Sequence, residues 1–402
     1  MKTLTSLFMT LLFCFGCSQS KDMYPIDVVK IDPIDVVKID PITPPMDMTS
    51  TVDSGIKCGA RELKTDEGCV PCSVIVPDDY PTINQAVGKG DVVCVRDGVY
   101  KEDVFIKTPM TLQGQGFTSV LEGNILYKDV PYLAVKNIKA SSIKSDGTLS
   151  LERRFQQLYI YKVLFFSTLC VSHDSNYGTV QIDIDGSVCK NNNIGIVINR
   201  NSGALDTQNT QVEIKNNEFS NNSNIMLNIN SNPSKPNTTI LINIFNNVFN
   251  YSTTSITQQT FLEKGYTQEP KTYIVNNTFI PTAITATGGV LQRSDYIENF
   301  PIHLLYNLYK GNLEITARFI STKYGNIQTE DRFFVDPSKN NYHLTKNSPA
   351  IDYIITYPYP YEPLKKDKDG NKRPINGLGT MPETFPAYFD VGAYEYDPKD
   401  TK

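Results

Sequence analysis

The chain is predicted to be an all-β protein wound as a parallel solenoid, and three observations carry that expectation. Residues 212 to 309 repeat every 30 positions, as Val212-Glu-Ile-Lys-Asn-Asn-Glu-Phe219, Ile242-Asn-Ile-Phe-Asn-Asn-Val-Phe249, Thr272-Tyr-Ile-Val-Asn-Asn-Thr-Phe279 and, more weakly, Ile302-His-Leu-Leu-Tyr-Asn-Leu-Tyr309. Within each unit the apolar residues alternate, as Val212 with Ile214 and Ile242 with Ile244, which is the period of a strand. An Asn pair and an aromatic close each unit, so Asn stands at 217, 247, 277 and 307 and the aromatic at 219, 249, 279 and 309. One such unit cannot bury its apolar face alone, whereas stacked units make a continuous core with coils about 4.8 Å apart. Asn tolerates turn dihedrals, and in a stack its side chains can hydrogen-bond along the column while the aromatics fill the inside. The unit Ile182-Asp-Ile-Asp-Gly-Ser-Val-Cys189 keeps the register without the Asn. An antiparallel sandwich is the competing fold, and it leaves the fixed register unexplained.

The elements follow in chain order. Lys2 is the only charge before the apolar run Leu7 to Phe15, which ends in Gly16-Cys17-Ser18. That pattern is a targeting segment, too short to remain as a membrane span. Residues 1–17 resemble a bacterial lipoprotein signal peptide with Cys17 as the lipidated residue, departing from the usual pattern at Cys14 and Phe15; a plain secretory signal or an uncleaved anchor is the alternative. Residues 18–57 hold Pro-Ile-Asp-Val-Val-Lys-Ile-Asp twice, at 25–32 and 33–40. A proline every eight residues interrupts helix and ladder alike, so this stretch is expected to be an extended tether.

Eight cysteines are present. Setting aside Cys14 and Cys17 leaves Cys58, Cys69, Cys72 and Cys94 in one cluster and Cys170 with Cys189 in another. In an exported chain this even number points to as many as three disulfides, with connectivity open. A metal or redox role for Cys69-Val-Pro-Cys72 would want a second CxxC or a His pair nearby. Residues 58–73 are expected to form a small cysteine-rich piece and residues 74–396 the solenoid.

Residues 74–116 contain Val76-Pro-Asp-Asp-Tyr-Pro-Thr-Ile-Asn-Gln-Ala-Val87, Gly90-Asp-Val-Val-Cys-Val95, Asp97-Gly-Val-Tyr-Lys-Glu-Asp-Val104 and Met110-Thr-Leu-Gln-Gly114. They resemble the opening of right-handed parallel β-helix proteins of the pectin-lyase-like superfamily, and the resemblance implies a short N-terminal helix capping the open end. A cap is physically required, because an unpaired terminal coil templates aggregation. Phe334-Val-Asp-Pro337, Asn341-Tyr-His-Leu-Thr-Lys-Asn-Ser-Pro-Ala-Ile-Asp352, Asp367-Lys-Asp-Gly-Asn-Lys-Arg-Pro374 and Phe389-Asp-Val-Gly-Ala-Tyr-Glu-Tyr396 resemble the closing segment of secreted β-helix proteins with the choice-of-anchor Q ending. Residues 140–170 have no assignable coil.

Candidate chemistry is sparse. A net charge of −5 argues against nucleic-acid binding, which wants a basic face. In the 30-residue register, Asp183, Glu213, Asn243, Tyr273 and His303 form one outward column, and Asp185, Lys215, Phe245, Val275 and Leu305 a second. Close carboxylates can hold a cation or split their pKa values; a solvated face with scattered charges is the plainer expectation. The resemblance implies that the working sheet follows the aromatic, near 194–200, 224–230 and 257–261. There Asn199, Arg200, Asn228, Asn230, Gln258 and Gln259 are the expected ligand-binding residues, amides and one Arg in place of a positioned acid and base. His173 and His343 are lone histidines with a structural role expected. Asp367, Asp369 and Asn371 have the opening spacing of a calcium loop, but Leu378 stands where its final Glu belongs; pairing of Arg373 with Asp352 or Asp390 is the preferred reading, and no cofactor beyond this weak calcium candidate is expected. Together these features predict an exported, lipid-anchored, monomeric protein of the bacterial cell envelope, at the outer membrane or cell surface, that binds polysaccharide or glycan. A polysaccharide lyase, hydrolase or epimerase, and a structural envelope protein, are the alternatives.

Overall fold

A computed structural model describes residues 57–146, most of 155–354 and most of 365–399. The chain divides into two units, Met1–Thr43 and Pro44–Lys402, and the described residues all belong to the second. The expected signal peptide, Cys17 and the tether up to residue 56 lie outside the described residues.

The second unit is an all-β parallel solenoid. Its strands pair between successive coils, never around a barrel. One interior column shows the winding: Val74 pairs with Val93, Val93 with Leu112, Leu112 with Val135, and Val135 with Ile160. Ile160 then pairs with Ile184, followed by Ile214, Ile244, Ile274 and Leu304. Every member is buried. Each buried aliphatic side chain of this kind contributes about 1.5–3 kcal/mol relative to exposure. The step along the column is 19 residues at Val74 to Val93, 25 at Val135 to Ile160, 24 at Ile160 to Ile184, and 30 from Ile184 onward. The described residues of the stretch 140–170 are therefore part of the solenoid. It runs through strands Tyr132–Ser145, Phe155–Phe165 and Leu169–Ser175, whose shorter, unequal steps hide it from a search for a 30-residue period.

A second column explains the turn. Asn137, Lys162, Gly186, Asn216, Asn246, Asn276 and Tyr306 all have φ between 49° and 59°. This is the left-handed region, which Asn and Gly enter at least cost. The first Asn of each pair thus bends the chain, and the second points inward and stacks. Asn217 Nδ2 donates to Asn247 Oδ1, Asn247 to Asn277 and Asn277 to Asn307, each at 3.0 Å, and Asn307 donates to Asn326 at 2.8 Å. The same oxygens accept backbone N–H groups of the preceding coil, as from Asn217 to Asn247 at 2.9 Å. Beside the ladder, Phe219, Phe249 and Phe279 stack with centroids 4.9 and 4.8 Å apart and planes within 8°. Cys189 and Phe165 occupy the same column one and two coils earlier.

The N-terminal end is closed as the chemistry demands. The helix Ile83–Ala86 is one turn, with Thr82 capping Gln85 N–H. Glu102 holds its start: its carboxylate accepts from Ile83 N at 2.8 Å and Asn84 N at 3.1 Å. The hairpin of Glu62–Thr65 and Gly68–Pro71 is bridged by Cys58–Cys69 and tied to the first coil by Cys72–Cys94, while Cys170–Cys189 links two coils further on. Cys69 and Cys72 therefore belong to separate disulfides.

The C-terminal segment turns back over the outside of the solenoid. Asn246 Nδ2 donates to Lys366 O at 2.8 Å, Asn276 Nδ2 to Asp390 O at 3.1 Å, and Ala393 N to Thr278 Oγ1 at 2.9 Å. Gly392, at φ 100°, lies so close that a Cβ there would meet Thr278 Oγ1 at 2.8 Å. Phe245, Val275 and Leu305, expected to face outward, are buried beneath Ala350, Ile351, Val391, Tyr394 and Tyr396. They form a second core, because outward apolar residues in adjacent coils give the returning segment a surface to cover. Arg373 also differs from expectation. Its ion partner is Glu395, at 3.5 Å with both side chains fully buried. Toward Asp390 and Gly392 it donates only to backbone carbonyls, at 3.3 and 2.8 Å. The Asp390 carboxylate instead accepts from Asp352 N and Tyr396 N.

Candidate functional site

The two faces proposed from sequence come out differently. On the expected working sheet, Asn199 aligns with Asn228, and Asn228 with Gln259. Asn199 Nδ2 donates to Asp174 Oδ1 at 2.7 Å. Arg200 stands opposite Ser175, which is buried, and Gln258 opposite Leu227, also buried. The side chains of Arg200, Asn228, Asn230 and Gln258 lie outside the described residues.

The better-defined arrangement lies on the sheet before the Asn turn. Tyr132, Gln157, Gln181 and Gln211 occupy one outward register column in four successive coils. Beside it run Tyr159, Asp183 and Glu213, and beside those Tyr161, Asp185 and Lys215. Gln157 Nε2 donates to Gln181 Oε1 at 3.1 Å and to Tyr159 OH at 3.1 Å, and the Tyr132 and Tyr159 rings lie 5.8 Å apart, tilted by 50°. This strip is bounded at one side by the turn of the disulfide hairpin. Lys162 Nζ reaches Asp66 and Glu67, each at 2.9 Å, and Tyr161 OH donates to Glu67 Oε1 at 2.6 Å. Toward the C-terminus the strip ends where Asn243 and Tyr273 pass into the buried zone.

Sequence reasoning placed the acids here but not their condition. Lys215 Nζ lies 3.3 Å from Asp183 Oδ2, 3.9 Å from Asp185 Oδ2 and in contact with Glu213. The four side chains are 17–24 % exposed, so this is a half-buried ion network and not a solvated face. Burial pushes the Asp183 carboxyl up to about 7 against the pull of Lys215, with Glu213 adding to the rise. Burial likewise raises Asp185, again opposed by Lys215. Burial pushes Tyr159 up to about 12, helped by Asp183. The network can hold a proton near neutrality while Lys215 retains its charge. Tyr132, Gln157 and Tyr159 were missed because they fall in or beside the unassigned stretch. The 30-residue spacing of Gln181 and Gln211 was the available signal.

The calcium candidates are engaged otherwise. Asp367 Oδ1 accepts from Asp369 N at 2.9 Å and Asn371 N at 2.8 Å, and its Oδ2 accepts from Asn371 Nδ2 at 3.0 Å and Glu395 N at 3.1 Å. Asp369 pairs with His343 Nε2 at 2.6 Å. The loop is a turn organised by Asp367, with its carboxylate occupied by protein donors. His343 thereby fastens the closing segment, and His173 is a buried partner of Tyr127 OH at 2.6 Å.

None of the protein-family models, curated proteins or solved structures compared with the chain matches it. The class of the molecule is accordingly the one its own ladders define, a parallel β-helix.

Proposed function

We propose that this is an exported, lipid-anchored β-helix protein that binds a glycan chain along the strip from Tyr132 to Gln211. The observation that carries the reading is the amide and tyrosine column, one residue per coil, beside Tyr159, Asp183 and Glu213. Sugars present hydroxyls on their rims and apolar C–H faces. Planar amides and carboxylates offer paired donors and acceptors to the first, and half-buried tyrosines offer ring faces with a polar tip to the second. The coil spacing of about 4.8 Å is comparable to a pyranose repeat, which suits a linear chain lying along the solenoid axis. Disulfides support export, and Cys17 supplies the anchor in this reading. The motifs at the two ends support kinship with pectin-lyase-like proteins and the choice-of-anchor Q ending. The test is calorimetric titration with a panel of linear oligosaccharides. Binding that drops at least tenfold in Tyr132→Ala and Gln181→Ala supports the assignment, and binding indifferent to both variants removes it.

A catalytic reading has one observation in its favour. Asp183, raised to about 7 by burial and lying beside Glu213, has the raised carboxyl that a proton donor needs. Incubation with pectate, alginate and glycosaminoglycans, following unsaturated products and reducing ends, would reveal such an activity, and its loss in Asp183→Asn would assign it.

A further inference from the structure

Resting on the glycan reading above, we propose that the strip selects neutral and amino-bearing glycans and rejects polyuronates. The amides and tyrosines recognise a sugar; the charges around them set which sugar. Three chain segments contribute those charges. Asp183 and Asp185 come from one coil, Glu213 from the next, and Asp66 and Glu67 from the hairpin turn that walls the strip. Asp183 keeps its proton at pH 6, so four carboxylates stand against Lys162, Lys215 and Lys136, the last aligned with Tyr161 one coil earlier. The balance is negative along the line a ligand would follow.

The network also displays what it accepts. Lys215 Nζ sits among three carboxyl groups, of which Asp183 is protonated at pH 6, and Lys162 Nζ sits between two carboxylates. Each is an alkylammonium seated in a carboxylate cradle on the strip, and neither cradle is neutralised by its lysine. A protonated 2-amino-2-deoxy sugar brings the same group on a ring whose remaining hydroxyls suit Gln157, Gln181 and Gln211. A uronate chain brings one more negative charge per sugar, in step with the coils, and meets repulsion at every position.

The experiment is titration of the full mature chain with three probes at pH 6: a glucosamine hexamer, an N-acetylglucosamine hexamer and a galacturonate hexamer. One favourable charge contact at about 4 Å in water corresponds to about fivefold in affinity. The glucosamine hexamer is expected to bind at least about fivefold more tightly than the acetylated one. That margin should shrink as salt shortens the Debye length to about 3 Å at 1 M, and the galacturonate hexamer should not bind. Asp66→Asn, in the hairpin turn that walls the strip, should reduce the glucosamine advantage while leaving the acetylated hexamer bound, which also shows that the variant is folded. Galacturonate binding equal to glucosamine binding overturns the charge selectivity and leaves the glycan reading standing. An advantage unchanged in Asp66→Asn and by salt overturns it as well. Absence of binding by all three probes removes the glycan reading itself, and this inference with it.

Discussion

Replacing Asn247 by Ala should be among the most damaging single substitutions in this chain. Asn247 is fully buried. Its Oδ1 accepts from Asn217 N at 2.9 Å and Asn217 Nδ2 at 3.0 Å, and its Nδ2 donates to Ile214 O at 2.8 Å, Phe245 O at 3.0 Å and Asn277 Oδ1 at 3.0 Å. Alanine leaves these groups in an interior that water cannot enter. Asn217 Nδ2 still has Ile184 O, and Phe245 O still receives Asn216 N, so the main losses are the Asn217 N–H and the bond to Ile214 O. At about 1–3 kcal/mol for each group left unsatisfied, the expected cost is about 3–5 kcal/mol. Asn326 is the control. It ends the same ladder, is part-exposed, and accepts from Asn307 N at 2.9 Å, so Asn326→Ala should cost only about 1 kcal/mol because water can replace it. Urea unfolding, with hydrogen exchange at Asn217 and Ile244 to locate the damage, measures both. A cost below about 1 kcal/mol for Asn247→Ala, or one equal to that of Asn326→Ala, would refute the claim that the ladder satisfies the buried turn.

Phe249→Ala opens the centre of the aromatic stack and should cost about 3–5 kcal/mol in the same unfolding assay. Lys162→Met should release the hairpin turn by about 1–2 kcal/mol, read as faster hydrogen exchange at Asp66 to Cys69 with the solenoid amides unchanged. Reducing Cys72–Cys94, which spans 22 residues, should destabilise the first coil by about 2–4 kcal/mol, detectable as earlier proteolysis there. The closing segment should weaken with rising pH. Burial, opposed by Arg373, raises Glu395 to about 7, and burial with the neighbouring Glu395 raises Asp390 well above the usual carboxylate range. The folded form therefore holds protons that the unfolded form has released. Stability is full below pH about 4.5 and falls as pH rises through about 7, by an amount on the order of 2 kcal/mol. Exchange protection at Ile354 and Val391 that increases over that interval would contradict the assignment.

Legibility followed the physics of each feature. The Asn ladder and the Phe stack were visible because a buried repeat must place the same side chain at the same point of every coil. The strand positions of the inner column were visible for the same reason. The coils through Tyr132 to Ser175 were not, because turns that use Asn137 and Lys162 in the left-handed position lack the Asn pair, and steps of 25 and 24 residues break the period. The binding strip was hidden with them. Tyr132 and Gln157 become neighbours of Gln181 and Gln211 only through the register of those irregular coils.

The sequence by itself determined the solenoid, its internal turn chemistry and the six cysteines available for bridging, since each is a local pattern repeated or paired along the chain. The tertiary structure alone decided which outward residues are surface. It laid the closing segment over Phe245, Val275 and Leu305, set the hairpin turn on Tyr161 and Lys162, and drew Asp183, Asp185, Glu213 and Lys215 into one half-buried network. Those contacts join residues from distant parts of the chain, and a period in sequence carries no information about what returns to cover it.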